Sequence, residues 1–258
     1  MNRKRTLIPE TFTAKKWKSG SDNVGVQAND GPFDIKAALE SLMSLFNRKL
    51  FNDTLPRIVL QHQLYSLHGD RTSVDRQLVS PFQNELREKG EVLVFQMGFD
   101  AEAVGVVFTE DYREKVLAGE AGRATLGAVE KFLNNVLPSC PDMSFNKDQM
   151  LQQFFFTDAE ITQLVKCGVL TVKDAGSWWL AIPNSGRFTK HFIQGRKAVL
   201  GMIKKSRYNE ILMSDLERRQ TTSQVKFQMK YHIHDIIGAE MVNRISTTSG
   251  VLLRFVES

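Results

Sequence analysis

Apolar residues recur at helical spacing through the first third of the chain and then change to the denser pattern of strands. From Asp34 this pattern predicts three helices, of which Asp34 caps the first and Pro81 kinks or splits the third. Two strands joined by a turn at Gly98 follow them. The predicted helices begin at Asp34, span Ile58–Leu67, and run from Asp70 or Thr72 to Lys89, and the predicted strands are Val92–Met97 and Gly105–Thr109.

The same order recurs in the middle of the chain, where its signals are clearest. Thr157 and Glu160 precede an apolar helical face at the spacing of a capping box, and Gly168 ends that helix. A tight turn over Asp174–Ser177 joins the two strands. The predicted elements are helices over Leu126–Val136, over Asn146–Gln153 and from Thr157, and strands over Val169–Val172 and Trp178–Ile182.

A third, looser set of elements occupies the last part of the chain. It begins with a long basic helix and ends with two strands across a turn of small polar residues and glycine. The predicted elements are helices over Gly186–Ile203, Tyr208–Glu217 and Ile233–Asn243, and strands around Ile245 and over Val251–Phe255.

Three helices followed by a β-hairpin are the elements of the winged-helix variant of the helix-turn-helix fold. We therefore predict an α+β, mainly α protein made of three tandem winged-helix domains over 34–120, 121–182 and 183–258. The length of 258 residues accommodates three such small modules. Residues 1–33 are polar and unperiodic, and we predict a disordered basic tail there.

Two basic clusters in this tail have the spacing of a bipartite nuclear import signal, and a tail that only adds solubility is the alternative. The clusters are Arg3, Lys4 and Arg5, then Lys15, Lys16 and Lys18. The tail lacks the apolar centre of a secretory signal, and no window is apolar enough for a membrane helix. Two cysteines, Cys140 and Cys167, are too few for a disulfide scaffold, so we expect a cytosolic or nuclear protein.

The net charge of +5 is unevenly distributed along the chain. The tail of residues 1–33 carries a net charge of +3 and residues 34–120 carry −4. Residues 121–180 carry −1 and residues 181–258 carry +7. This polarity favours a polyanion-binding region in the last third of the chain, with a merely solvated basic surface as the alternative.

The bases of that region lie mainly on the predicted long helix and directly after it. Lys190, Lys197 and Lys204 are seven residues apart and share one helical face over about 21 Å, a length that matches a row of DNA phosphates. Arg218 and Arg219 end the next predicted helix, where they could simply complement its dipole. The candidate DNA-binding residues are Lys190, Arg196, Lys197, Lys204, Lys205, Arg207, Arg218 and Arg219.

The sequence supplies no catalytic constellation, no metal site and no cofactor site. A phosphate-binding loop and the protein-kinase motifs are missing, and the nearest kinase-like triplet, Asp174-Ala175-Gly176, falls in a predicted hairpin turn. His232 and His234 diverge on a helix, so we interpret them as surface or capping groups. We expect Cys167 to be a small core residue near a helix end.

Two aromatic runs leave alternatives open. Trp178 and Trp179 are adjacent strand residues that face opposite ways, so packing is favoured over base stacking. The run Phe154–Phe156 is typical of a core plug, but three consecutive aromatic residues cannot all face one core, so an interface is the alternative.

Several segments resemble the serine/threonine-protein kinase 19 family, nuclear animal proteins whose kinase name is regarded as mistaken. The resemblance runs from about Leu7 to the C-terminus, and Val79–Asn84 departs from it as a short insertion before the first hairpin. The segments are Leu7–Phe12, Phe108–Arg113, Gly168–Val172, Asp174–Ala181 and Ile245–Gly250.

The resemblance implies three winged helices, double-stranded DNA binding and association with chromatin in the nucleus. It further implies a scaffold in transcription-coupled nucleotide excision repair, which joins stalled RNA polymerase II and the Cockayne-syndrome ubiquitin-ligase receptor to the repair helicase complex TFIIH. It raises homodimer formation, which the sequence leaves open. The positions that match the family's DNA contacts are Lys190, Lys204, Lys205, Arg207 and Arg219.

A DNA-binding scaffold without enzymatic activity is therefore the expected function. An atypical serine/threonine kinase and a pure protein-interaction module are the alternatives. No motif supplies the nucleotide and magnesium sites that a kinase needs.

Overall fold

The computed structural model describes residues 34–78, 85–99, 103–140 and 142–256, and it combines helices with small antiparallel sheets. The predicted tail, its import signal and the insertion Val79–Asn84 lie outside these described residues. The helices are α1 (Ile35–Ser44), α2 (Gln61–Tyr65), α3 (Arg71–Leu78), α4 (Glu85–Glu88), α5 (Thr109–Glu120), α6 (Leu126–Lys131), α7 (Asp158–Lys166), α8 (Gly186–Lys204), α9 (Met213–Arg218) and α10 (Met229–Gly238). The strands are β1 (Val59–Leu60), β2 (Val92–Gln96), β3 (Val104–Phe108), β4 (Ser144–Asn146), β5 (Leu170–Asp174), β6 (Ser177–Leu180), β7 (Glu210–Leu212), β8 (Val242–Thr247) and β9 (Gly250–Phe255).

In the described parts of the chain, the nine strands form three antiparallel sheets that share one strand order. The orders are β1-β3-β2, β4-β6-β5 and β7-β9-β8, so the last strand of each set is central. The registers Val94↔Val106, Thr171↔Trp179 and Ile245↔Leu252 confirm the three predicted hairpins. The predicted domain boundaries at 120 and 182 stay a prediction.

The first strand of each sheet overlaps a segment that we predicted to be helical. The predicted helices included Ile58–Leu60, Asn146 and Tyr208–Leu212, yet β1, β4 and β7 pair there with the central strands. A run of two or three strand residues is too short to show a period of two, and pairing with a distant hairpin decides its conformation. Short turns at Arg48–Phe51 and Arg207–Asn209 are 3-10 helical, and those at Phe132–Val136 and Gln149–Gln153 are π-helical.

The predicted helix caps are confirmed. The Asp34 carboxylate accepts hydrogen bonds from the backbone N–H groups of Lys36 at 2.9 Å and Ala37 at 3.2 Å. Thr157 accepts from the Glu160 backbone at 3.2 Å, and Glu160 accepts from the Thr157 backbone at 2.7 Å. These bonds satisfy backbone donors that a helix start leaves free.

The segment after the first hairpin is a helix that we did not predict. In α5, Tyr112 is fully buried and its hydroxyl donates to the Ala181 carbonyl at 2.9 Å. Asp111 is also buried, and it accepts hydrogen bonds from Arg48 and Arg57. Buried polar groups of this kind break the apolar stripe from which an amphipathic helix is recognised.

One apolar core joins the regions that carry the three sheets. Its largest cluster takes in Phe95, Phe132 and Phe192, one from each predicted domain. At its centre Phe46 lies 6.1 Å from Phe188 and 5.6 Å from Phe227, measured between ring centroids. The described residues between 34 and 256 accordingly cluster as one compact unit.

Candidate nucleic-acid interface

Helix α8 separates a buried face from a row of lysines. Phe188, Phe192, Val199 and Ile203 are buried on one side and pack into the core. The residues Lys190, Lys197 and Lys204 are exposed. Because their spacing of seven residues nearly completes two turns, the three side chains follow one line along the helix.

The end of α8 gathers bases from two separate segments. Lys204 and Lys205 end the helix, Arg207 follows, and all three are exposed. Arg219, which follows α9, donates to the Met202 carbonyl at 3.4 Å and lies 3.5 Å from the Ser206 hydroxyl. The negative end of the α8 dipole favours this concentration of cations.

Seven of the eight predicted DNA-binding residues are exposed, and within the described chain none of the seven forms an ion pair. Lys204 lies with its Nζ 4.0 Å from the Phe255 ring centroid, an aromatic contact that leaves its charge uncompensated. We call these seven residues the basic surface: Lys190, Lys197, Lys204, Lys205, Arg207, Arg218 and Arg219.

Arg196 does not lie on the basic surface, which corrects our grouping of it with the other bases. Its guanidinium contacts Asp235 through Nε at 2.8 Å and Nη2 at 2.5 Å, and His62 Nε2 lies 2.7 Å from the same carboxylate. Burial alone would raise the pKa of Asp235, but hydrogen bonds from His62 and Arg196 lower it. We call Arg196, Asp235 and His62 the buried joint, because they connect α2 with α8 and α10.

Helix α10 is the third helix of the last set, the position from which a winged helix usually reads DNA bases. Here α10 is packed against α2. The Tyr231 hydroxyl donates to the Ile58 carbonyl at 2.7 Å, and Gln63 donates to the Tyr231 carbonyl at 2.9 Å. At Gly238 a Cβ atom would lie 1.7 Å from the His62 carbonyl oxygen. This helix therefore has no free face for a DNA groove. The exposed lysine and arginine side chains can instead contact DNA phosphates.

The third hairpin, at Thr247–Gly250, is exposed and small. Gly250 has a φ of +122°, a conformation that suits glycine in this tight turn. The two arginines of its strands are engaged: Arg244 donates to the Ser66 carbonyl at 3.1 Å and Arg254 pairs with Glu210. Both arginines of this hairpin are thus held by contacts within the protein, and we do not include them in the basic surface.

Of the two histidines that we interpreted as surface or capping groups, His232 lies inside the protein and His234 is half-buried. His232 is fully buried, and its ring nitrogens have no hydrogen-bond partner among the described residues. The His234 ring bonds to the Ser66 hydroxyl at 2.7 Å. Burial lowers the pKa of each histidine to about 4.

The remaining aromatic and cysteine candidates are mainly structural. Trp178 packs against the core, and Trp179 lies under Lys173, with the Nζ atom 4.1 Å from its ring centroid. Phe154 and Phe156 are buried, whereas Phe155 is 76% exposed. Cys167 caps the C-terminal end of α7 and is half-buried, as expected.

Other chemistry gains no support from the residues that the structure describes. They contain no group of three histidine, cysteine or acidic side chains that could hold a metal ion. The triplet Asp174–Gly176 lies in the turn between β5 and β6, where Gly176 has a φ of +78°. No helix among the described residues is long and apolar enough to cross a membrane.

Comparison with known proteins identifies relatives over the whole length of the chain. It is 52% identical over 252 residues to winged helix repair factor 1 of Homo sapiens, covering 98% of this chain and 97% of that protein. It is 49% identical to the protein of that name from Mus musculus and 46% identical to that from Xenopus laevis, each over all of both chains. These names describe a winged-helix repair protein rather than an enzyme.

The model of one protein family matches residues 33–255, which include every described helix and all but the last residue of the described chain. The family is described as inactive serine-threonine protein kinase 19, in agreement with our prediction that the chain is not an enzyme. The atypical-kinase alternative is thereby set aside. On this match and on the full-length relatives, the chain belongs to the inactive serine-threonine protein kinase 19 family.

Proposed function

We propose that this protein is a double-stranded DNA-binding scaffold with three tandem winged-helix domains behind a disordered N-terminal tail. The third domain binds the DNA backbone through the basic surface. The observation that carries the proposal is the set of seven exposed basic residues, none of which forms an ion pair within the described chain, along α8, at its end and at the end of α9. Residues 181–258 carry a net charge of +7, the largest of the four regions.

The binding mode that fits this surface is contact with phosphates. The lysine row along α8 covers about 21 Å, and duplex DNA presents one phosphate charge for about every 1.7 Å of its axis. Arg207 and Arg219 widen the surface at one end of this row, and Arg218 precedes Arg219 at the end of α9. With α10 packed against α2, base reading by that helix is not part of the proposed mode.

We further propose that the scaffold acts in transcription-coupled nucleotide excision repair. The repair-factor names of the relatives and the family resemblance support a role between stalled RNA polymerase II, the Cockayne-syndrome ubiquitin-ligase receptor and TFIIH. The acidic residues 34–120, with a net charge of −4, are suited to protein contacts rather than to DNA. The tail would direct the protein to the nucleus and its chromatin, and assembly as a homodimer stays open.

The basic surface can be tested by reversing three of its charges in the full chain. Replacing Lys204, Lys205 and Arg207 with Glu should abolish duplex binding at moderate salt, because three phosphate contacts become repulsions. Fluorescence anisotropy with a labelled duplex measures the affinity. The slope of log affinity against log salt should be steep in the unmodified protein, by about 0.9 for each phosphate contacted.

A matched control has the same change in total charge away from the basic surface. Lys49, Arg76 and Lys166 are exposed and lie on other parts of the molecule. Their replacement with Glu should weaken binding far less than the first triple variant does. Equal loss in both variants would mean that only total charge matters, and unchanged affinity in the first variant would refute the assignment.

A pure protein-interaction module is the second candidate, and one observation favours it. Phe155 is 76% exposed and Val172 is 67% exposed, so the second domain offers apolar side chains to solvent. Partner binding that resists salt, together with no measurable affinity for duplex DNA, would support this alternative over the first.

A further inference from the structure

Tyr208 stands at the end of the basic surface in an unusual backbone conformation. Its φ and ψ are 60° and 21°, and the next residue, Asn209, has a φ of 57°. Left-handed backbone disfavours side chains with a Cβ atom, and for a bulky residue such as tyrosine it is rare. Glycine or asparagine would satisfy this turn at lower cost.

Packing does not compensate for that cost. Tyr208 is 74% exposed. Its contacts with the described residues are with the neighbouring Arg207, whose guanidinium carbon lies 4.9 Å from the ring centroid and whose Nη2 donates to the hydroxyl at 3.0 Å. Most of the ring surface therefore faces solvent. Strained residues that the core does not need are concentrated at binding sites.

The surroundings of Tyr208 indicate which ligand would meet its ring. Lys204, Lys205 and Arg207 precede it in the chain, and Arg219 is attached to the same turn through Ser206, 3.5 Å from its hydroxyl. Cations bind phosphates, and an exposed aromatic ring stacks on a nucleobase. Inside an intact duplex every nucleobase is already stacked on its neighbours, and inserting the ring would cost the energy of unstacking them. An interruption of the duplex offers a nucleobase with a free face at no such cost.

We propose that Tyr208 stacks on an unpaired base and gives the basic surface a preference for junctions between duplex and single-stranded DNA. The lysine and arginine side chains around Tyr208 bind the phosphates of the duplex. The ring stacks on the first nucleobase that has lost its stacking partner. This inference rests on the proposed DNA binding and adds the class of DNA structure that is bound.

The test measures the affinity of the full-length protein for two circular DNA probes. One probe is a covalently closed circular duplex, which has neither ends nor unpaired bases, and the other is the same circle with a gap that leaves four thymines of one strand unpaired. The gapped probe should bind at least about fivefold more tightly, given the usual contribution of one stacked base. Tyr208→Ala should remove this difference and leave the affinity for the closed duplex unchanged.

Two substitutions and one spectroscopic signal separate stacking from a structural effect. Tyr208→Phe keeps the ring and should keep the preference. Phe155→Ala removes a similarly exposed aromatic residue, also with positive φ (55°), from outside the basic surface, and the preference should again remain. With 2-aminopurine at the first unpaired position, protein binding should quench its fluorescence, and Tyr208→Ala should abolish the quenching.

The outcomes distinguish this inference from the proposed function. If the triple charge reversal leaves duplex binding intact, the proposed function itself fails. If that reversal abolishes binding but the gapped probe shows no advantage, or keeps it in Tyr208→Ala, only the stacking role is overturned. Tighter binding to a duplex with open blunt ends, without tighter binding to the probe with the internal gap, would also overturn the stacking role, because the proposal requires a junction.

Discussion

Arg196 and Lys197 are neighbours on α8 and carry the same charge, yet they belong to different parts of the protein. Arg196 is paired with the fully buried Asp235, whereas Lys197 is exposed and, within the described chain, unpaired. A step of one residue turns a side chain by about 100° around the helix, which is enough to exchange the core for solvent. Basic residues that are adjacent in the sequence can therefore serve two roles, one in a buried ion pair that stabilises the fold and the other on a surface that binds a ligand.

The difference between Arg196 and Lys197 can be tested by replacing each of them separately with alanine. Arg196→Ala leaves the Asp235 carboxylate buried without its main partner, and we expect a loss of about 3–5 kcal/mol in the free energy of unfolding. Lys197→Ala should change that free energy by no more than about 0.5 kcal/mol. Urea denaturation measures both values.

DNA binding should give the opposite order for the same two variants. Lys197→Ala should reduce the salt slope by about one phosphate contact, or about 0.9. Arg196→Ala, measured under conditions where it is folded, should leave the slope unchanged. A stable Arg196→Ala protein with a lowered slope would show that our separation of the two residues is wrong.

A second pair of substitutions tests how closely α10 and α2 are packed. Gly238→Ala places a Cβ atom against the His62 carbonyl, a backbone group that cannot rotate away, and should cost about 1–3 kcal/mol or more. Gly201→Ala is the matched control, since no atom lies within 4 Å of its added Cβ and alanine favours a helix. Thermal denaturation of both variants should show opposite shifts, and equal shifts would contradict the tight contact.

A further test concerns the effect of acid on His232 and His234, the two histidines near the buried joint. Burial lowers the pKa of His232 to about 4, whereas a histidine in the unfolded chain titrates near about 6.5. Because the unfolded state then binds more protons, stability is complete above about pH 6.5 and falls as the pH is lowered toward about 4. The expected slope is about 1.4 kcal/mol per pH unit for His232, and His234 adds a similar one.

Denaturation at a series of pH values with His232→Gln checks this expectation. Its stability should fall less steeply with acid than that of the unmodified protein, because one of the two protonations is removed. Equal slopes in the two proteins would mean that His232 does not take up a proton on unfolding.

The local features of the fold could be predicted from the sequence because their signals are short in range. The Asp34 cap, the box formed by Thr157 and Glu160, and the three hairpins each depend on residues a few positions apart. The strands β1, β4 and β7 could not be predicted, since their conformation depends on pairing with strands 30 to 50 positions later.

The candidate site could be predicted in part for the same reason. The spacing of Lys190, Lys197 and Lys204 indicates one helical face, and the structure keeps all three exposed. The burial of Arg196 depends on Asp235, 39 positions away, and on His62, 134 positions away. His62 was missed because a single histidine in a short helix carries no pattern. For Tyr208, the position after Arg207 was the available signal, but its left-handed backbone is visible only in three dimensions.

The contacts among the rings of Phe46, Phe188 and Phe227 determine what truncation alleles of this protein can reveal. A stop codon near residue 183 would delete the basic surface, but it would also strip Phe46 and Phe51 of the rings that cover them. A truncated product of this kind exposes a large apolar patch, which cells clear by proteolysis. Its phenotype would report the loss of the whole protein, so single substitutions, rather than truncations, are the alleles that isolate the contact with DNA.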